Sequence, residues 1–320
     1  MKKVIYITEY SKRSGAGHYY RYISIKQLFI KEWKIDLCLN SKKPVIKSKY
    51  NWNNNIGNSA FLKKINKFDI IIIDSFLINK RLSSFLDESR ICTIFIDDYI
   101  KRKYQNSLHV DWTFGLSNKI KTNKLFGKKF CLVRRQFLNK KYTIKSKKKL
   151  FVSCMFGGSD IKNLSKILYK KINIFKINNI KITFLINENY PSYKIMSNKP
   201  NVFHNLNIEK IIKIFLKSDV VISTSGQSLY ELAALKIPTL SICINKNQKM
   251  DAISFKREKL IENIFLKERK LLVDNIILEL RKFKNARFRK NIKRKLNKYK
   301  FDGKLLKKKI EKYVSEYYSS

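Results

Sequence analysis

Four consecutive isoleucines, Ile70–Ile73, constrain the fold of this chain more than any other stretch. A strand without a polar position is buried on both faces, which is typical of a parallel sheet covered by helices on either side. Comparable apolar runs predict strands at Val4–Thr8, Ile35–Leu39, Cys92–Ile96, Val110–Phe114 and Phe130–Val133. Helical patterns are found at His18–Lys31 and Leu77–Glu88. Strands that alternate with helices predict a doubly wound α/β domain.

The same alternation restarts after Tyr142–Lys149, a polar and basic stretch that we interpret as a linker. Strands are predicted at Leu150–Met155, Lys181–Ile186, Val202–His204, Asp219–Ser223 and Pro238–Ile244. Helices are predicted at Ile161–Ile177, Ile208–Lys217 and Leu229–Leu235. We therefore expect two Rossmann-like domains, 1–145 and 146–265, whose parallel sheets face a cleft, and a basic helical tail at 266–320. Ligands of such sheets bind beyond the carboxyl ends of the strands.

The charge balance bears on possible partners. The formal net charge is +46, from 70 basic and 24 acidic residues. Lys, Asn and Ile are abundant along the whole chain and no zinc-finger or RNP-like pattern occurs, so we expect no nucleic-acid partner. A weak association with an anionic membrane surface stays open, and the sequence does not give the oligomeric state. The three histidines are far apart and no CxxC pair occurs, so we expect neither a metal site nor a cofactor.

The N-terminal segment and the cysteines indicate the compartment. The first apolar stretch is interrupted by Glu9 and lacks a small-residue cleavage site, so it predicts a strand and not a signal peptide. The longest apolar runs are far too short to cross a bilayer. The five cysteines each lie in an apolar run and are expected to be buried free thiols. We therefore expect a cytoplasmic protein.

A short turn of small and polar residues lies between an apolar strand and a helix in the second half. Its members are Ser225, Gly226, Gln227 and Ser228. The first N–H groups of a helix have no partner inside it, and the helix dipole favours negative charge there. Glu231 follows about one turn into the helix, where a carboxylate can accept hydrogen bonds from sugar hydroxyls. We expect a nucleotide diphosphate at this turn.

A second loop in the same half has a similar composition. It consists of Gly157, Gly158, Ser159 and Asp160. The glycines allow the backbone to approach a ligand closely, and Ser159 or Asp160 can cap the helix that follows. A capped turn without a ligand is the alternative. Two such loops in one half favour phosphate binding more than either loop alone.

The first half offers a candidate base. Gly15 and Gly17 precede His18 at the start of a helix, and Tyr20 stands where a dinucleotide fingerprint has its third glycine. We expect His18 to face the cleft with little side-chain cover, and to be neutral because a helix N-terminus disfavours imidazolium. A neutral histidine suits a general base, whereas a structural histidine that caps the loop is the alternative. Asp74 ends its strand where catalytic or hydroxyl-binding carboxylates lie, and Asp97 with Asp98 does the same, although either member of that pair could equally cap a helix.

These motifs together resemble the hydrolase family of the pseudaminic acid pathway, which releases UDP from UDP-2,4-diacetamido-2,4,6-trideoxy-β-L-altropyranose. The family has the GT-B architecture and is similar to the MurG glycosyltransferase. The matching pieces run from residue 1 to about 250 and are Ser14–His18 with Arg21, Ile72–Asp74, Ile96–Asp98, Leu132–Arg134 with Phe137, Phe156–Asp160 with Asn163 and Leu164, Ser225 and Gly226 with Glu231, and Asn247 with Gln248.

The resemblance implies a metal-independent hydrolysis in nonulosonic acid biosynthesis. Water attacks the anomeric carbon, UDP leaves and the configuration inverts. His18 matches the family's base, and we add Asp74 as the second catalytic candidate. The predicted substrate-binding residues are Gly15, Gly17, Arg21, Gly157, Gly158, Ser159, Ser225, Gly226, Gln227, Ser228, Glu231, Asn247 and Gln248.

The sequence departs from the family at one catalytic position. A tyrosine usually follows the aspartate, whereas this chain has Ser75, Phe76 and Leu77 after Asp74. Two alternatives to the hydrolase therefore stay open. A GT-B glycosyltransferase of surface polysaccharide synthesis would keep the same UDP site and the histidine loop. A sugar-nucleotide-binding protein without catalysis would be consistent with the missing phenol.

Overall fold

A computed structural model describes residues 1–10, 16–40, 48–52, 57–75, 77–97, 107–117, 119–121, 123–144, 149–175, 179–266 and 271–319. The chain divides into two compact units. The N-terminal unit comprises residues 1–134 and 302–320, and the C-terminal unit comprises residues 135–301. Each unit is built on its own sheet, as the sequence predicts.

The N-terminal unit contains an eight-stranded sheet. Its strands are β1 (Lys2–Glu9), β2 (Trp33–Asn40), β3 (Tyr50–Asn51), β4 (Ile70–Asp74), β5 (Cys92–Ile96), β6 (Ser107–Asp111), β7 (Lys119–Lys121) and β8 (Lys124–Phe126). Their order is β3-β2-β1-β4-β5-β6-β8-β7, with only the β7–β8 pair antiparallel among the described strands. Helices α1 (Gly17–Leu28), α2 (Ser59–Ile65) and α3 (Lys80–Glu88) follow strands of this sheet.

The two faces of β1 have different surroundings. Ile5 and Ile7 belong to a buried core cluster that also contains Cys38, Trp52, Phe61, Ile65, Ile71, Ile73, Leu82, Leu86, Ile91 and Phe95. Because side chains alternate along a strand, Tyr6 and Thr8 lie on the opposite face. The ring of Tyr6 contacts that of Tyr22 in α1, with centroids 5.2 Å apart. This face of the sheet lies under α1 and carries polar side chains, among them that of Thr8.

The C-terminal unit contains a six-stranded parallel sheet. Its strands are β9 (Leu150–Met155), β10 (Ile180–Ile186), β11 (Val202–His204), β12 (Val220–Thr224), β13 (Thr239–Cys243) and β14 (Glu262–Phe265), in the order β11-β10-β9-β12-β13-β14. Its helices are α4 (Leu164–Phe175), α5 (Tyr193–Met196), α6 (Ile208–Lys217), α7 (Gln227–Ala234), α8 (Lys249–Arg257), α9 (Leu272–Lys284) and α10 (Ala286–Leu296). β9 lies between β10 and β12, so the loops after these three strands share one edge.

The last helix, α11 (Lys304–Ser319), belongs to the N-terminal unit. Lys307 Nζ donates to Glu32 Oε1 at 2.6 Å, and the Tyr318 hydroxyl donates to the carbonyl of Asp69 at 2.5 Å. Gly303 precedes α11 at φ +66°, where a Cβ would lie 2.6 Å from Cδ1 of Leu132. The C-terminal segment is helical, as predicted. The two units nevertheless differ from the predicted limits, because residues 266–301 pack in the C-terminal unit and α11 in the other.

One predicted strand is wrong. Gly127, at φ +99°, begins a short 3-10 helix over Lys128–Phe130, and the segment that follows pairs only through an isolated bridge between Leu132 and Asp302. The apolar run Phe130–Val133 is therefore buried without forming a strand. The expectation of buried free thiols is confirmed for all five cysteines. In the part of the chain that the structure covers, no helix has the length and apolar character needed to span a bilayer.

Candidate active site

Three side chains of the N-terminal unit converge at the carboxyl end of β4. The register of β1 and β4 pairs Thr8 with Asp74, so Asp74 lies at the end of the sheet from which the chain enters α1. His18 and Arg21 are three residues apart in the first turns of α1 and therefore share a helix face. His18 Nδ1 lies 2.6 Å from Asp74 Oδ1. Arg21 donates to both carboxylate oxygens, from Nε to Oδ2 at 2.8 Å and from Nη2 to Oδ1 at 2.5 Å.

The short contact between His18 and Asp74 has a preferred proton position. Complete burial raises the pKa of the Asp74 carboxyl, but the charge of Arg21 and the charge and hydrogen bond of His18 outweigh burial and lower that pKa to about 2. An ionised carboxylate only accepts hydrogen bonds, so Nδ1 of His18 is the donor in this contact. Arg21 Nη2 lies 2.7 Å from the same Nδ1. When Nδ1 carries the only ring proton, the lone pair resides on Nε2. An aspartate that orients histidine in this way leaves Nε2 to act as a proton acceptor.

Sequence reasoning missed two members of this cluster. The Tyr6 hydroxyl donates to Asp74 Oδ2 at 2.9 Å, and Thr8 Oγ1 donates to the Asp74 carbonyl at 2.9 Å. Both come from the face of β1 that carries no core isoleucine. The alternation of Tyr6 and Thr8 with Ile5 and Ile7 was the available signal, because it marks a polar face in an otherwise apolar strand.

The predicted residues of the first glycine loop differ in their burial, and one of them lies outside the described residues. His18 is only 4 % exposed, so the prediction that it has little side-chain cover is wrong. It lies on the face of α1 that packs over Tyr6 and Asp74, and this packing buries the ring. A Cβ on Gly17 would have no other atom within 4 Å, so the start of α1 has free space beside its backbone. Gly15 and Phe76 lie outside the described residues.

The loop after β9 is shaped by a glycine and a cap. Gly157 adopts φ +71°, a conformation that favours glycine. Asp160 caps α4, since its carboxylate accepts from the N–H groups of Leu164 at 2.8 Å and Ser165 at 2.9 Å. Of the two capping residues that the sequence allowed, the structure thus selects Asp160. Its burial raises the pKa of the carboxyl to about 6, although the hydrogen bonds from Ser165 and Leu164 lower it.

In the turn after β12, the first residue is buried inside the protein and the next three are partly exposed. The Ser225 hydroxyl is buried and lies 3.1 Å from both Ser241 Oγ and Asn263 Oδ1. Gly226 is the N-cap residue of α7, and Gln227 and Ser228 open that helix in partly exposed positions. Glu231 lies one turn further on and is 2 % exposed.

Two close approaches join the predicted C-terminal residues. A Cβ on Gly157 would lie 3.6 Å from Thr224 Oγ1, so the loop after β9 abuts the end of β12. A Cβ on Gly226 would lie 3.6 Å from Nε2 of Gln248. The other end of the Gln248 amide accepts from the N–H of Ile244 at 3.1 Å, which fixes its orientation. The ends of three adjacent strands therefore meet here, while Asn247 is exposed beside them.

In the part of the chain that the structure describes, four backbone donors at this edge have no acceptor, namely the N–H groups of Gly158, Ser159, Gly226 and Ser228. The last two belong to the start of α7, where the helix dipole adds partial positive charge. Amides in such positions can donate to a phosphate group. In the described ranges no cluster of three side chains that could hold a metal ion occurs.

The fold defines a class of protein. No family model matches the sequence. The chain has the GT-B fold: MurG of Acinetobacter baumannii superposes with a TM-score of 0.67 over 98 % of this chain and 100 % of its own, at 11 % identity. A UDP co-structure of MnaA from S. aureus superposes with a TM-score of 0.64, covering 100 % of this chain and 97 % of its own at 12 % identity. At these identities the likeness shows the fold alone.

One known protein is similar to this chain in sequence. The UDP-2,4-diacetamido-2,4,6-trideoxy-β-L-altropyranose hydrolase of Campylobacter jejuni is 26 % identical over 202 residues, which cover 60 % of this chain and 72 % of the relative. The resemblance that the motifs indicated is thereby confirmed.

Proposed function

We propose that the chain is an enzyme that hydrolyses a UDP-sugar, releasing UDP from a diacetamido-trideoxy sugar with inversion at the anomeric carbon. The observation that carries the proposal is the pairing of His18 with the ionised Asp74, because it prepares Nε2 of His18 to accept a proton. The identity to the Campylobacter jejuni hydrolase supports the substrate class.

The C-terminal unit supplies the nucleotide site in this proposal. The amides of Gly158, Ser159, Gly226 and Ser228 would donate to the diphosphate. Donors fixed in advance toward developing negative charge lower the barrier to UDP departure, and such donors replace a metal ion. The buried Glu231 would accept hydrogen bonds from the ribose hydroxyls. Asn247 and Gln248 would border the sugar diphosphate, since Gln248 lies beside Gly226.

The N-terminal unit supplies the base. His18 would take a proton from the water that attacks the anomeric carbon. Asp74 and Arg21 act through His18: the carboxylate keeps the proton on Nδ1, and the guanidinium keeps the carboxylate ionised. Arg21 was predicted to bind substrate, but its guanidinium is already engaged by Asp74, so we assign it a positioning role.

Incubation with UDP-sugars in the absence of an acceptor tests the proposal. Steady release of UDP from UDP-2,4-diacetamido-2,4,6-trideoxy-β-L-altropyranose is the expected result. Release that begins only after an acceptor is added would instead indicate a glycosyltransferase. Tight UDP binding without turnover of any sugar would indicate a binding protein that lacks catalysis.

A further inference from the structure

Two side chains of the loop after β10 form hydrogen bonds with the backbone of the loop after β9. The Tyr190 hydroxyl accepts from the N–H of Phe156 at 3.2 Å and donates to the carbonyl of Gly157 at 2.7 Å. Asn187 Nδ2 donates to the carbonyl of Gly158 at 3.2 Å. Backbone groups of three successive residues, Phe156, Gly157 and Gly158, are therefore held by two side chains that no sequence motif indicated.

Because the peptide group is planar, a contact that holds a carbonyl also sets the direction of the N–H of the next residue. In a trans peptide, the carbonyl of one residue and the N–H of the next point in opposite directions. The described residues contain no cis peptide bond. Because Tyr190 holds the carbonyl of Gly157, the N–H of Gly158 points away from Tyr190. Because Asn187 holds the carbonyl of Gly158, the N–H of Ser159 points away from Asn187.

Neither of these two N–H groups has an acceptor among the described residues. Successive backbone amides without a partner inside the protein can form a concave donor site that fits a phosphate group. Glycine has the largest conformational freedom of any residue, so two glycines in a row would sample many orientations without an external restraint. A hydroxyl and an amide that hold both carbonyls remove that freedom before the ligand arrives.

We propose that Tyr190 and Asn187 are positioning residues that aim the amides of Gly158 and Ser159 at the diphosphate of the nucleotide. The inference rests on the proposed function for the identity of the nucleotide, but the donor geometry serves any diphosphate. The loop after β10 is itself rigid enough for this role: Asn187 Oδ1 accepts from the N–H of Asn189 at 2.9 Å, and the N–H of Tyr190 donates to the carbonyl of Asn187 at 3.0 Å. Tyr190 is buried, so its hydroxyl is held in place by its surroundings.

Calorimetric titration of the full chain with UDP, inorganic pyrophosphate and uridine tests the inference. The variants are Tyr190→Phe, which removes one hydroxyl, and Asn187→Ala. We expect each to weaken UDP and pyrophosphate about tenfold, in line with the loss of one or two hydrogen bonds, and to leave uridine within about twofold. In turnover, KM should rise while kcat stays within about threefold. Tyr193→Phe is the matched control, because the Tyr193 hydroxyl contacts His204 and Asn205 and not the glycine loop.

The three ligands separate the two proposals. Unchanged UDP and pyrophosphate affinity in both variants would overturn the positioning role, and so would an equal loss for uridine. A weaker pyrophosphate affinity in Tyr190→Phe without UDP-sugar turnover by the wild type would support the positioning role and reject the proposed function. A wild type that binds neither UDP nor pyrophosphate would overturn both. Asn187→Ala keeps the test valid if Tyr190→Phe fails to fold, because the Asn187 side chain is only partly buried.

Discussion

Nδ1 of His18 and Oδ1 of Asp74 lie 2.6 Å apart although 56 positions separate them in sequence. The contact joins the first turn of α1 to the carboxyl end of β4, and both residues are buried. Asp74 also accepts from Arg21 and Tyr6, so the carboxylate is held on every side before it meets the imidazole. These contacts restrict rotation of the carboxylate, and an ionised carboxylate beside Nδ1 favours the tautomer that carries its proton on that nitrogen.

Asp74→Asn should lower kcat by about two to four orders of magnitude, because an amide no longer enforces the proton on Nδ1. UDP affinity should stay within about twofold, since the proposed nucleotide site lies in the other unit. Single-turnover kinetics and a UDP titration measure the two quantities. Asp36→Asn is the control, because Asp36 lies on the same sheet and bonds only Lys49 at 2.7 Å among its described partners. Full activity of Asp74→Asn would contradict the assigned role.

Glu231→Gln should weaken UDP binding by about one to two orders of magnitude, the effect of losing charged hydrogen bonds to the ribose hydroxyls. The substitution keeps the volume of the side chain, so packing at this buried position should change little. Titration with UDP and with inorganic pyrophosphate gives the comparison. Pyrophosphate lacks the ribose and should bind both proteins equally. Glu209→Gln, at an exposed position in α6, is the control. An unchanged UDP affinity would place the nucleotide elsewhere.

Ser225→Ala should chiefly lower the free energy of unfolding, by about 1–2 kcal/mol, because it leaves Ser241 and Asn263 with fewer partners in a buried network. UDP affinity should stay within about threefold, since the hydroxyl of Ser225 is engaged inside the protein. Ser228→Ala should show the converse, with little change in stability. Urea unfolding and UDP titration on both variants decide between an inward and a ligand-facing hydroxyl at position 225.

The Asp160 cap makes stability depend on pH. Its carboxyl has a folded pKa of about 6, above the ordinary value of 3.8, so the protonated form favours the folded state. This contribution is complete below about pH 4 and is lost as the pH rises through 6. Relative to Asp160→Asn, the wild type should therefore lose about 1–3 kcal/mol of unfolding free energy between about pH 4 and pH 7. Parallel curves for the two proteins in urea would contradict the raised pKa.

Sequence patterns were sufficient where burial alone decides the structure. β9 at Leu150–Met155, β11 at Val202–His204 and α6 at Ile208–Lys217 have the predicted limits. Asn207 caps α6 through the N–H of Lys210, a local signal that the sequence carries. The apolar run Phe130–Val133 wrongly predicted a strand, because these residues are buried after a 3-10 turn that follows Gly127.

Contacts between residues far apart in the chain could not be predicted from sequence patterns. His18 and Asp74 were each named, but a βα crossover and the strand register were needed to bring them together. Tyr190 and Asn187 were missed because a side chain that binds the backbone of a distant loop needs no particular residue at the other end. The return of α11 to the N-terminal unit depends on single contacts such as that between Lys307 and Glu32, which composition does not reveal.

The most direct test of the account compares UDP release and UDP binding in His18→Ala. If His18 is the base and the nucleotide binds the C-terminal unit, kcat for UDP release from the diacetamido-trideoxy UDP-sugar should fall by at least about two orders of magnitude. The UDP dissociation constant should stay within about twofold of the wild-type value. A variant that turns over at the wild-type rate when bound, but has lost its affinity for UDP, would contradict the account.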